Sequence, residues 1–375
     1  MRKVTHLTSV HQATDIRIFE KQCRTLAASG YQVSLVGRAD LAETIDGVQI
    51  VPVSIPSNRL ARMFTTGFRV LRLGLATQAD LFHFHDPELI PVGIVLKLLR
   101  KKVVYDVHEN LPMDILHSKE YIPKWLRKPM AWFFGGIERQ SSKLFDVVIT
   151  VSDSFVKEFP KGKSYVVRNY PIFSDESSVP PPFASRQNWV VFTGGIEVTR
   201  CAKEMVRALE HLDDGVQLHL AGPSRSPALD AELATYPGWS RTTNMGMIGR
   251  SDVHELLHKS KVGLLMNYPR EDYVEISSNK LYEYMLAGVP VVTSDIPSWR
   301  RTVEEVGCGV VVDGTDPQSI AEGIQKVLGD PEAAQEMANR GREAASKQFI
   351  WESEAKILLA IYANVLHVQE HQLTK

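Results

Sequence analysis

Cysteine is scarce in this chain of 375 residues: Cys23, Cys201 and Cys308 stand far apart and form no C-x-x-C pair, which argues against a disulfide framework and a cysteine-ligated zinc site. The three are expected to be reduced and buried. Long apolar runs are missing as well. No stretch approaches the ~20 consecutive apolar residues that span a bilayer, and the opening Met1–His6 has no signal-peptide core, so a cytoplasmic location is expected, peripheral at most to the inner membrane face. Net charge is also nearly absent, at −1, but the average conceals an asymmetry. Residues 1–170 hold 24 Lys and Arg against 16 Asp and Glu, a balance of +8, and the remainder holds 19 against 28, a balance of −9. A basic half joined to an acidic half suggests an anionic partner for the former. No nucleic-acid motif accompanies the charge, so nucleic acid is not an expected partner.

What is present is an alternation of short β-rich runs with helical spacing. The runs of the first half are Val4–Leu7, Gln32–Val36, Leu81–Phe84, Val103–Val107 and Val147–Val151; Arg17–Ala28 and Leu89–Leu99 read as helices between them. Asn169-Tyr170-Pro171 and the proline-rich Ser177–Pro182 interrupt the pattern and read as a linker. It then restarts with Trp189–Thr193, Val216–Leu220, Val262–Met266, Val289–Thr293 and Val310–Val312, and closes with a helical stretch from Pro331 to about His367. The length exceeds what one core usually serves. The fold class is therefore α/β, as two successive doubly wound domains with parallel sheets.

Ligands of such sheets bind beyond the carboxyl ends of the strands, and those ends are polar here. They carry Thr8–Arg17 with His11 and Asp15, then His83-Phe84-His85-Asp86, then Tyr105-Asp106-Val107-His108-Glu109. Three readings are open: a metal site at His83, His85, Asp106 and His108; a catalytic His108; or helix capping by Asp86 with hydrogen-bonded buried histidines. In the second half, Gly194-Gly195 follows a strand and precedes Arg200. Glycines let a phosphate approach the backbone, and a guanidinium offers it paired donors. Further on, Glu275 and Glu283 are eight residues apart with Ser277-Ser278-Asn279 between them. A helix starting near Ser277 or Ser278 would turn its free N–H groups towards a diphosphate, with hydroxyl acceptors on either side.

Two basic stretches interleave cations with large apolar residues, Arg59–Arg72 and Tyr121–Phe134. Each reads either as an interfacial helix on an anionic membrane or as a core-packing helix with a basic outer face.

Together these segments resemble the retaining glycosyltransferases of family four, whose GT-B fold sets two Rossmann-like domains face to face. The resemblance rests on His11-Gln12-Ala13-Thr14-Asp15-Ile16-Arg17-Ile18-Phe19-Glu20-Lys21, on His85-Asp86-Pro87-Glu88-Leu89, and on Tyr105–Glu109. The block from Glu275 to Val292 and the pair Gly307-Cys308-Gly309 with Asp313 extend it. It implies an acceptor-binding domain over 1–168, a linker over 169–186, a nucleotide-sugar-binding domain over 187–350, and a closing helix over 351–375 that returns to the N-terminal domain. It implies His108 and Glu275 as catalytic residues, Glu275 on the transferred sugar and Glu283 on the ribose. The amides of Ser277, Ser278 and Asn279 would lie near the diphosphate, with Gly194, Gly195 and Arg200 also on the donor. His11, Asp15, His85 and Asp86 fall on the acceptor side. Neither metal nor cofactor is expected. The chain departs from the pattern where Gly195 stands at an expected arginine and Arg200-Cys201 at a basic residue followed by glycine, which makes Arg200 the principal diphosphate cation. The expected activity is hexosyl transfer from a nucleoside-diphosphate sugar to a saccharide or lipid-linked saccharide in cell-surface polysaccharide or glycolipid synthesis. A sugar-nucleotide epimerase or hydrolase, a non-catalytic sugar-nucleotide-binding subunit and a membrane-binding protein without small-molecule function are the rival readings.

Overall fold

The computed structural model describes residues 1–54, 65–108, 110–117, 122–172, 179–269 and 278–366. The chain divides into two units, Met1–Asn169 with Trp351–Lys375, and Tyr170–Ile350.

Among the described residues of the first unit, eight strands form one sheet: β1 (Lys3–Gln12), β2 (Gln32–Arg38), β3 (Glu43–Ile45), β4 (Val48–Pro52), β5 (Leu81–Phe84), β6 (Lys102–Val107), β7 (Val147–Thr150) and β8 (Ser164–Val166). Their order is β3-β4-β2-β1-β5-β6-β7-β8. Neighbours run parallel except β3 and β4, an antiparallel pair closed by Asp46-Gly47, both at positive φ, the twist that favours such two-residue turns.

Register explains where the polar groups go. His6 of β1 lies opposite His83 of β5, and Phe84 lies opposite Tyr105 of β6. Side chains alternate along a strand, so Phe82, Phe84 and Tyr105 enter the apolar core with Leu7, Val103 and Phe145. Phe84 stacks on Tyr105 at 4.6 Å and meets Phe145 edge-on at 5.2 Å. His6, His83, His85 and Asp106 are left for the opposite face.

The second unit contains β9 (Gln187–Thr193), β10 (Gln217–Ala221), β11 (Thr242–Gly246), β12 (Ser260–Leu265), β13 (Val291–Ser294) and β14 (Gly309–Val312), all parallel, in the order β11-β10-β9-β12-β13-β14. Chain direction across the sheet reverses at β9, so the crevice at its carboxyl end is where an open α/β sheet binds ligands. The helix Asn279–Leu286 is fixed there by one buried side chain. The Tyr284 hydroxyl accepts from the Thr193 amide at 2.9 Å and donates to the Leu264 carbonyl at 3.2 Å. Gly263 makes room for the ring, because a Cβ there would stand 2.6 Å from it.

Candidate active site

The first unit gathers its polar groups around Asp106. Arg17 clamps this buried carboxylate with two bonds, Nε to Oδ2 at 3.0 Å and Nη2 to Oδ1 at 2.7 Å, and spends Nη1 on the Val167 carbonyl. Gln22 donates to Oδ2 at 2.7 Å and His108 Nε2 lies 3.1 Å from it. Burial alone would raise the Asp106 carboxyl, but the Arg17 charge and the His108 contact hold it well below the usual carboxylate range. The segment Asp15–Lys21 exists to deliver this clamp. Asp15 caps the helical turn Ile16–Cys23 by accepting from the Arg17 and Ile18 amides, each at 2.9 Å. Ile18 and Phe19 are buried, and Lys21 binds Asn169.

Behind His108 stands a column of buried rings. His85 Nδ1 is 3.1 Å from His108 Nε2, and His85 Nε2 is 2.9 Å from His6 Nδ1. Burial pushes His85 down to about 3 against the raising pull of Asp106, and it depresses His6 and His83 well below the ordinary histidine range. These three rings are neutral at physiological pH. The His108 side chain remains 16% exposed.

Asp86 does not cap the helical turn that follows it, as one reading of the sequence had it. Its carboxylate instead accepts from the Thr8 hydroxyl at 2.8 Å and the Ser9 amide at 2.6 Å, and pairs with His11 at 3.0 Å. Burial opposes ionisation here, but His11, the Ser9 amide and the Thr8 hydroxyl outweigh it and keep the carboxyl ionised. Of the acceptor-side candidates, His11 and Asp15 are partly exposed, the His11 side chain at 33%. Asp15 is committed to the cap, and His85 is fully enclosed behind His108.

In the second unit, β9 ends in Gly194-Gly195. Gly194 has φ +125°, and Gly222 has φ +156° with a Cβ that would collide with the Gly194 carbonyl, so both positions need glycine. Two cations converge on this turn. A Cβ at Gly194 would stand 3.1 Å from both Arg200 Nη1 and Lys280 Nζ, and one at Gly195 would stand 3.2 Å from Arg200 Nη1. Lys280 lies over the Phe192 ring at 5.1 Å and makes no ion pair among the described residues. Burial and then the Arg200 charge push Lys280 down to about 8, with Glu283 and Glu197 pulling the other way. The structure thus brings together Gly194, Gly195 and Arg200 with the helix that follows Ser278, whose side chain makes no capping bond, and that carries Asn279 and Glu283. Glu275 and Ser277 lie outside the described residues, as do Arg59, Tyr121 and Glu109. Sequence reasoning missed Lys280; its signal was a lysine two places into a helix already assigned to an anion. A cavity of about 690 Å³ elsewhere in this unit, lined by Asp295, Arg300 and Asp313, shares no residue with the turn.

Among the described residues, two trios have donor atoms close enough to hold a metal ion, His6–His83–His85 and His85–Asp106–His108. In the second, Arg17 already occupies both oxygens of Asp106, so a dication would face a fixed positive charge on the same carboxylate. The donor set fits hydrogen bonding better than metal ligation.

Comparison with known proteins agrees with this architecture. The sequence model described as Glycosyltransferase Family 4 matches residues 17–169, and that described as Glycosyl transferases group 1 matches 173–344. A D-inositol 3-phosphate glycosyltransferase of Xylanimonas cellulosilytica is 29% identical over 46% of this chain and 42% of its own length. A glycogen synthase of Mycobacterium tuberculosis is 24% identical over 80% of this chain and 73% of its own length. The chain therefore spans less than half of the first relative and about three quarters of the second. The sucrose-phosphate synthase structure from Thermosynechococcus elongatus superimposes with a TM-score of 0.77 at 18% identity, covering 98% of this chain and 100% of that one, a likeness of fold. The fold is GT-B, and the chain belongs to the family-four glycosyltransferases.

Proposed function

We propose that this chain is a retaining, metal-independent hexosyltransferase that moves a sugar from a nucleoside diphosphate to a saccharide or lipid-linked saccharide during cell-surface polysaccharide or glycolipid synthesis. One observation carries the donor half: Arg200 and Lys280 converge on a glycine turn beside the uncapped start of a helix. Two adjacent cations repel unless an anion joins them, and a diphosphate supplies one. The same groups would stabilise the charge that grows on the leaving diphosphate, commonly a large share of a catalytic effect. We assign Glu283 to the ribose hydroxyls, Glu275 to the transferred sugar, and the amides at Ser277, Ser278 and Asn279 to the diphosphate. His108 acts at the reacting sugar, and His11 with Asp86 serves the acceptor.

Thermal shift against UDP-, GDP- and ADP-sugars tests the donor, with one base class expected to stabilise the protein. His108→Ala is expected to lower turnover by a factor on the order of 10²–10³. Unchanged turnover, or a product of inverted anomeric configuration, would sink the catalytic reading; loss of activity on exhaustive chelation would sink metal independence.

We further propose contact with an anionic membrane on the cytoplasmic side. On the helix Lys124–Ser142, the buried face is Ala131, Gly135 and Glu138, whereas Trp125 and Trp132 are each 77% exposed and Phe133 55%. Exposed Lys124 and Lys128 flank these rings, the composition of an interfacial helix. Core packing does not account for two open tryptophans. Replacing both by serine should abolish co-sedimentation with phosphatidylglycerol vesicles; equal binding by the variant would remove this assignment.

A further inference from the structure

The histidine column does not end inside the first unit's sheet. It continues to Tyr362 on the helix Trp351–Leu366, a fully buried side chain whose hydroxyl lies 2.6 Å from His83 Nδ1 and 3.2 Å from His6 Nε2. The contacts run His108, His85, His6, Tyr362, His83, and the far nitrogen of His83 comes back to 3.9 Å from Asp106 Oδ2. We propose that Tyr362 is a positioning residue which, through His83, His6 and His85, fixes the ring nitrogen on which His108 carries its proton. The proposal rests on the reading of His108 as catalytic.

Proton counting gives the chain a direction. A neutral imidazole has one N–H and one bare nitrogen, so each contact can be filled only if all rings point the same way. In one direction His108 Nε2–H faces Asp106 and His85 Nδ1, His85 Nε2–H donates to His6 Nδ1, and His6 Nε2–H donates to the Tyr362 hydroxyl. That hydroxyl donates to His83 Nδ1, which leaves His83 Nε2–H turned towards Asp106. In the reverse direction every proton moves to Nδ1, and the bare Nε2 atoms of both His108 and His83 face the Asp106 carboxylate. Lone pairs against an anion are unfavourable: the first direction leaves one, His85 Nδ1 at 3.4 Å from Oδ2, whereas the reverse leaves two, His108 Nε2 at 3.1 Å and His83 Nε2 at 3.9 Å, so Asp106 favours the first direction. His108 then presents a bare Nδ1, able to accept a hydrogen bond from a substrate hydroxyl. His83 Nε2 has no hydrogen-bond partner within range, so its preference for Asp106 is electrostatic and reaches His6 only through Tyr362. Such partners commonly set the tautomer of a working histidine.

The test is nitrogen-15 NMR of the full chain labelled at histidine. In the wild type, His6, His83, His85 and His108 are expected as Nε2–H tautomers; any of the buried three found as Nδ1–H overturns the direction. In Tyr362→Phe, His6 Nε2–H loses its acceptor, and moving that proton to Nδ1, where it can donate to His85, leaves no buried N–H on His6 unpaired, so His108 should show a mixture of tautomers. Turnover should fall threefold to tenfold with donor KM unchanged. A His108 spectrum unchanged by Tyr362→Phe overturns the relay, as would stoichiometric binding of added zinc through these rings. If the variant does not fold, the wild-type assignment still decides. Should His108→Ala keep its turnover, the catalytic reading falls while the tautomer measurement continues to judge the relay.

Discussion

Replacing Lys280 by glutamine removes the one site cation that the sequence did not reveal. Its ammonium shares the Gly194–Gly195 turn with Arg200 and has no acid paired to it among the described residues. A hydrogen bond to a charged group contributes ~1.5–3 kcal/mol, so donor affinity should weaken roughly 10- to 150-fold. The pH dependence sharpens the test. Burial and the Arg200 charge hold Lys280 at about 8, so it is charged at pH 7 and loses its proton as pH rises through that value. Wild-type affinity for the donor should therefore fall between pH 7 and 9, by up to roughly tenfold if the neutral amine binds no phosphate. Lys280→Gln should be weak and flat over that interval, and Lys280→Arg, which stays charged, should lie closer to wild type and also be flat. Isothermal titration with the sugar nucleotide that stabilises the protein reads all three. A glutamine variant within twofold of wild type at pH 7, or one that keeps the wild-type slope, would refute the role.

Two further outcomes follow from the first unit. Arg17→Ala strands the Asp106 carboxylate in a site with no exposure; breaking a buried pair by removing one partner costs about 3–5 kcal/mol, measurable by urea denaturation. Glu138 is 3% exposed, accepts from the Tyr105 hydroxyl, and is raised by burial from 4.5 to about 7. A raised carboxyl favours folding while protonated, fully below pH 4.5, and loses that contribution as pH rises through about 7. At ~1.4 kcal/mol per pH unit that interval amounts to about 3 kcal/mol, so Glu138→Gln should gain stability relative to wild type at pH 8 but not at pH 4.5. A gain independent of pH would refute the assignment.

Strand positions were legible because parallel strands buried on both faces are short β-rich runs between turn residues; the observed β5 matches Leu81–Phe84, and β9 and β12 overlap their expected runs closely. The start of the helix Asn279–Leu286 was legible from Ser277-Ser278-Asn279. The hairpin of β3 and β4 was missed although Asp46-Gly47 announces it, because its strands are brief and β3 is largely exposed. What could not be read was partnership. Nothing in the spacing says that Arg17 reaches Asp106, 89 residues on, or that Tyr362 reaches His6, 356 residues back. Those pairs arise from register, which the sequence specifies only through the whole packed sheet. The same limit hid Asp86, whose local surroundings suggest a cap while its partners sit on another strand.

The two units hold their charged groups in opposite ways, and the difference bears on their roles. Around Asp106 the charges are compensated within the chain: Arg17 neutralises the carboxylate and burial keeps three histidines neutral. Such a cluster needs no substrate to compensate its charges, which under the proposed function suits groups that must meet a reacting sugar in one geometry. At Gly194 the compensation is incomplete. Arg200 has Glu197 only at 3.9 Å, and Lys280 has been displaced from its ordinary range instead of being paired. An anion that joins these cations relieves their repulsion and restores the lysine's proton affinity, so part of its binding energy comes from strain already present in the free protein. That is the arrangement expected of a site whose ligand comes and goes, and under the proposed function the electrostatics that change on donor binding would fall to Arg200 and Lys280, with Asp106 as fixed scaffold.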